Sequence, residues 1–230
     1  NERVDTFLNR EIKKMSPSYK TEEKDYSVFV LEKMPLLKVY KDRFTTIYDD
    51  MGRIYSLMQR QHSLLEKENI VNNISRSVVE SLFNNFFRGI KKETLVNISD
   101  TAKSDLDYYG CKSLVRQLVQ RTGLNAYNIS WSHKYASLAI GRMSTTKGNS
   151  IVEKFINVIV LNYYLGTAET KRFLSKSNAQ KMYDLADKLN QIRRKVSHDT
   201  DERFEPRDYD FYMANVFELI NGLLEAYKED

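Results

Sequence analysis

PLLKVYKDRFTTIYDDMGRIYSLMQRQHSLLE, residues 35–66, carries apolar side chains at Leu36, Val39, Tyr40, Phe44, Ile47, Tyr48, Met51, Ile54, Tyr55 and Met58. Steps of three and four return to one side of a helix, so the spacing predicts one long amphipathic helix after Pro35, running to about Glu66. Its apolar side needs a partner. Strict heptads do not persist, which favours packing inside a bundle over a coiled-coil pairing.

A second helix is expected from about Ile70 to Ile90, where Val78, Val79, Leu82, Phe83, Phe86 and Phe87 suit a core. Residues 1–26 are polar and mixed in charge, broken at Ser16-Pro17-Ser18, and read as an arm or short helix. The polar stretch 91–107, with KKET and SDTAKSD, marks the expected boundary between an N-terminal helical region, 1–107, and a C-terminal helical domain, 108–230. In that second part helices are expected at about 111–121, 131–142, 150–165 (ended by Gly166) and 178–197. The last follows Asp208, with Phe211, Tyr212, Val216, Phe217, Leu219, Ile220, Leu223, Leu224 and Tyr227 on a broad apolar face. No segment keeps strand alternation, and Gly and Pro number only 8 and 3 in 230 residues, so the expected fold class is an all-α helical bundle.

Composition narrows the chemistry. With 41% hydrophobic residues the chain can bury a core. Cys111 is the single cysteine and there are three histidines, so no zinc-ligand cluster arises and no metal is expected. No P-loop, dinucleotide fingerprint, HExxH or GxSxG occurs, which leaves nucleotide hydrolysis, hydride transfer and zinc peptidase chemistry without a basis and calls for no cofactor. The longest apolar runs, such as VIVL at 158–161, fall far short of the roughly 20 residues of a membrane span. No membrane partner is therefore expected, and a cytoplasmic location is.

The formal net charge is +5 but unevenly spread. From Tyr108 to Val152 there is no Asp or Glu, while Lys112, Arg116, Arg121, Lys134, Arg142 and Lys147 all fall there, together with Tyr127, Trp131, His133 and Tyr135. Cations suit phosphates and aromatic rings suit bases, so Lys112, Arg116, Arg121, Trp131, His133, Lys134, Arg142 and Lys147 are candidate nucleic-acid contacts. A helical surface with core aromatics is the plainer alternative.

QIRRKVSHDTDERF, residues 191–204, closes the helix expected over 178–197. Met182, Leu185, Leu189, Ile192 and Val196 mark its inner face, and Arg193, Arg194 and Lys195 crowd its end before His198. Residues 171–198 hold eight Lys or Arg against two acids, whereas 199–210 hold six acids against two Arg, so the charge changes sign at the histidine. Arg194 and His198, four apart, share a helical face; Arg193 and His198 converge only if the helix end or a partner brings them together. Cations at a helix C-terminus also offset its dipole, which is the simpler role.

Arg193-Arg194-Lys195-Val196-Ser197-His198, an Arg-x4-His motif ending a helix in an all-α region and followed by another apolar helix, resembles the HEPN superfamily of ribonucleases and RNA-binding domains. The resemblance covers about residues 108–230. Thr200 stands where toxin members carry an aromatic residue, which departs from that subgroup. The resemblance implies metal-independent RNA cleavage in which the ribose 2′-hydroxyl attacks the adjacent phosphate. Arg193 and His198 are then catalytic, Arg194 is a second phosphate contact, and Ser197 or Asp199 orients the imidazole; Lys195, in the basic stretch 171–195, is a further candidate nucleic-acid contact. It also implies a homodimer or a second copy of the motif as partner, with antiviral defence and stress response as common settings. Two other readings stay open: a non-catalytic helical module that binds RNA or DNA, and a helical scaffold whose basic surface meets an acidic protein.

Overall fold

The computed structural model describes residues 19–59, 63–120, 131–145, 150–175, 179–197 and 202–228, with side chains described from residue 24 onward. Among them there is no strand, and the all-α class expected from periodicity holds.

The helix expected over 35–66 is divided. After α1 (Tyr19–Lys33), α2 spans only Pro35–Val39, α3 runs Thr45–Met58 and α4 starts at Leu64. The turn at residues 40–44 still uses helix-like bonds, Tyr40 N–H to the Leu36 carbonyl at 2.9 Å and Phe44 N–H to the Tyr40 carbonyl at 3.0 Å. Apolar spacing therefore passes through the break almost unaltered and hides it. The cost of reading through it is at Val39, which is 70% exposed, while Leu37 takes the core position.

Ser63 starts α4 (Leu64–Asn73) with a reciprocal cap: its hydroxyl accepts from the Glu66 N–H at 3.3 Å, and its own N–H donates to Glu66 Oε2 at 2.7 Å. This satisfies two donors that a helix start otherwise leaves unpaired. Ser63→Ala is expected to cost about 1 kcal/mol, read as a lower thermal midpoint; an unchanged midpoint would show that water caps the helix as well.

Residues Ile74–Val79 form a π-helical turn that runs on into α5 (Glu80–Asn85). The polar stretch read as a boundary, 91–107, forms most of an 18-residue helix, α6 (Lys92–Tyr109). Its buried residues Leu95, Ile98, Ser99, Ala102 and Leu106 follow helical spacing, diluted by polar neighbours that face water. Gly110, at φ +74°, ends α6 and sets the angle to α7 (Cys111–Gln120). The remaining helices are α8 (His133–Gly141), α9 (Ile151–Tyr164), α10 (Ala168–Ser175), α11 (Ala179–Val196) and α12 (Pro206–Glu225). The expected helices beyond residue 110 thus all occur, and α10 is an addition between two of them.

α9 is the axis of the molecule. Every residue from Ile151 to Leu161 is buried, and α5, α6, α7, α8, α10 and α11 pack around it. Apolar residues on every side of a helix need such enclosure, and here it takes Glu153, Lys154 and Asn157 inside with them. Ser150 caps its start with Glu153, and Gly166 at φ +63° ends it, its N–H reaching the Leu161 carbonyl at 3.1 Å. α12 lies along α11 and reaches back to α2, α4 and α5, so one buried apolar cluster runs from Tyr26 to Tyr227, on both sides of residue 108. Among the described residues no helix is long and apolar enough to cross a membrane.

Candidate functional site

α11 buries Met182, Leu185, Leu189 and Ile192, as its spacing predicts, and adds Tyr183, Ala186 and Asn190 to that face. Its last turn carries three cations, each about 100° further round the helix, and each meets a different environment.

Arg193 turns inward. Its Nη2 lies 3.9 Å from Glu80 Oε1, with 16% and 18% of the two side chains exposed. Lys154 of α9, 2% exposed, is held beside them and donates to Asn84 Oδ1 at 2.6 Å. Burial pushes the Glu80 carboxyl above its usual range; Arg193, Lys154 and Arg76 oppose that without cancelling it. Burial likewise pushes the Lys154 ammonium down, against Glu80 and Glu153. Tyr212 of α12, fully enclosed, shares a 2.6 Å hydrogen bond with Ser75 in the π-helical turn, and Glu80 and Arg193 both act on it electrostatically. Arg193 thus ties α11 to α5 at a buried polar centre.

Lys195 is used differently. Its ammonium reaches Asp208 Oδ1 at 3.2 Å and Glu202 Oε2 at 3.4 Å, while Asp208 Oδ2 also accepts the Glu205 N–H that caps α12. The change of charge sign noted in the sequence is therefore, at least in this pair, a staple between the end of α11 and the start of α12. The Ser197 hydroxyl donates to the Arg194 carbonyl at 3.1 Å and so closes the helix end.

Arg194 faces the solvent side of a cleft of about 630 Å³. Trp131, Tyr135, Tyr183, Asn190 and Gln191 line it with Arg194, and Asp187 and Glu202 supply the opposite charge. Tyr183, Asp187, Asn190 or Gln191, and Arg194 recur at three- and four-residue steps on α11, a stripe that was present in the sequence but overshadowed by the Arg-x4-His motif. His198 and Asp199 lie outside the described residues, as do Arg121 and Lys147.

The described part of the acid-free stretch does not form one surface. Trp131, expected to present a stacking face, is 8% exposed; its indole N–H donates to the Tyr183 hydroxyl at 2.8 Å, and only part of it borders the cleft. A large ring with a polar tip gains most when buried with a partner for its N–H, and here α11 provides one. Burial first, with nearby Asp187 also contributing, pushes the Tyr183 phenol up to about 12, although that indole bond opposes the shift. His133 faces Asp107 at 3.2 Å, and Arg142 faces Glu153 at 3.8 Å, so acids from just outside the stretch meet cations within it. Lys112, Arg116 and Lys134 are exposed but do not line the cleft. Of the expected nucleic-acid contacts among the described residues, the fold brings Trp131 and Lys195 to the cleft that Arg194 lines. Among the described residues no group of three His, Cys, Asp or Glu could hold a metal ion.

Comparison with protein-family models, with curated proteins and with solved structures gives no match for this chain.

Proposed function

We propose that the chain binds RNA at the cleft beside α11 and cleaves it there by metal-independent transesterification, with Arg194 in the role first assigned to Arg193. The observation that carries this is the position of Arg194: exposed, lining the cleft, and four residues before His198. The 2′-hydroxyl attacks the neighbouring phosphorus while the bond to the 5′-oxygen breaks, giving a 2′,3′-cyclic phosphate and a 5′-hydroxyl. His198 moves the protons and Arg194 takes the charge on the phosphate oxygens. With Asp187 and Glu202 in the same cleft, the site suits one phosphate seated on Arg194 better than a long phosphate track. The HEPN resemblance rests on Arg193-x4-His198, one residue longer than the Arg194–His198 spacing used here; the partner it implies, a second copy of the chain, is kept as part of this proposal.

Arg193, engaged with Glu80, favours a second reading in which the module binds RNA without cutting it. Labelled single-stranded RNA incubated in EDTA separates the two. Cleavage to cyclic-phosphate ends is expected, falling about 10²–10⁴-fold in His198→Ala and about 10²–10³-fold in Arg194→Ala. Binding that weakens steeply with salt, without cleavage, selects the second reading. Absence of both cleavage and binding overturns the RNA assignment.

A further inference from the structure

Lys195 bridges two acids that the fold holds very differently. The Asp208 side chain is 12% exposed, meets the ammonium through both oxygens at 3.2 and 3.4 Å, and through Oδ2 accepts the Glu205 N–H at 2.9 Å in the reciprocal cap that starts α12. The Glu202 side chain is 74% exposed and meets Lys195 through Oε2 at 3.4 Å, four residues ahead of α12. Glu202 and Lys195 line the cleft with Arg194, whereas Asp208 does not. The charged residues described at the cleft are Arg194 and Lys195 against Asp187 and Glu202, so cations and acids cancel while Glu202 is in place. Asp187 is built into the α11 wall, where its carboxylate accepts from Gln191 Nε2 at 3.0 Å. Glu202 stands on the connection between α11 and α12, and an ion pair so exposed to water is worth little. When it leaves Lys195, Asp208 still compensates the ammonium and no buried charge is stranded.

The geometry points to Glu202 as a built-in competitor for the substrate: its carboxylate holds, on Lys195, the place that an RNA phosphate takes when the cleft fills. The inference rests on the RNA reading and supplies its regulation. Carboxylate and phosphate oxygens offer an ammonium the same charge-assisted hydrogen bond, so one anion can replace the other without leaving Lys195 unpaired. With Glu202 in place the cleft suits a single phosphate on Arg194; displacing it opens a second seat on Lys195, and two cations then face Asp187 alone. A strand already held on Arg194 brings its next phosphate at a high effective concentration, which a free anion cannot do. Competition of this kind favours a polyanion over a lone phosphate.

The probe is a short, dye-labelled single-stranded RNA with 2′-O-methyl riboses, which lacks the attacking hydroxyl and so reports binding without cleavage, followed by fluorescence anisotropy. Glu202→Gln keeps the shape of the side chain and removes its charge; it should bind the probe about two- to fivefold more tightly than wild type at low salt, a gain that shrinks toward about 0.5 M salt. Glu218→Gln removes the same charge from an exposed side chain that pairs with Lys181 away from the cleft, and should change the affinity less than about twofold. On an Arg194→Ala background the gain from Glu202→Gln should vanish, because the second seat fills only once the strand is held. If wild type binds the probe and Glu202→Gln binds it no more tightly, or if Glu218→Gln gives the same gain, or if the gain survives Arg194→Ala, Glu202 is not a competitor and the RNA reading stands. If neither wild type nor Glu202→Gln binds the probe, the RNA reading fails and the competitor with it.

Discussion

Phe83→Ala is expected to lower the free energy of unfolding by about 4 kcal/mol, the largest single loss we anticipate in the core. Phe83 is fully buried on α5 and meets Phe155 of α9 at 5.9 Å and Phe173 of α10 at 6.3 Å between ring centroids. Phe155 and Phe173 are themselves 5.3 Å apart, so the three rings form one aromatic knot joining three helices. Truncation removes buried area and leaves a hole that three separately anchored helices cannot collapse to fill. Against a total stability of about 5–15 kcal/mol, urea unfolding should show a much lower midpoint with an unchanged slope. A loss below about 1 kcal/mol would mean that the knot repacks.

Arg193→Ala is expected to be the second large effect, and its size should depend on pH. Removing Arg193 takes away the strongest charge opposing the burial of Glu80, so the Glu80 carboxyl moves further above its usual range. The sign follows from proton binding. Above the ordinary carboxyl value of 4.5 the unfolded chain releases the Glu80 proton while the folded chain retains it, so stability falls as pH rises through the folded value. In the variant that fall is deeper and extends to higher pH. The loss should therefore be small near pH about 5 and reach about 3 kcal/mol near pH about 8. Glu80→Gln, placed on the Arg193→Ala background, should recover most of it, since the buried carboxylate left behind is then gone. A loss independent of pH, or one that Glu80→Gln does not relieve, would show that Arg193 contributes packing and no charge compensation. The cycle also bears on function, because an Arg193→Ala variant that fails to cleave RNA at neutral pH has to be shown folded before the loss is called catalytic.

Helix identity was legible wherever the apolar period was dense. Residues 111–120, 133–141, 151–164 and 179–196 were recognisable from their own spacing and from glycine stops such as Gly166. Two kinds of misreading have a common cause. At 35–66 the period was followed too far, because the turn at 40–44 preserves three- and four-residue steps. At 91–107 it was missed, because Leu95, Ile98, Ala102 and Leu106 are outnumbered by charged and polar residues that solvent accepts on the outer face. In both, a local pattern was taken for a statement about where the chain bends. Only packing supplies that.

The site divides in the same way. Local sequence was enough to place α11, its buried face and the cluster of cations at its end, since helical period and dipole act within a few residues. It could not say which of Arg193, Arg194 and Lys195 lines the cleft and which is drawn to an acid, because the deciding partners are Glu80 on α5 and Asp208 on α12, contributed from elsewhere in the chain. Nor could it tell that Trp131 gives its N–H to Tyr183, or that Asn190 and Arg194 share one cleft. Helix formation is written in neighbours along the chain. The assignment of each charge to a buried pair, a staple or an open cleft is decided by long-range packing, because the energy of a charge depends on what surrounds it in space.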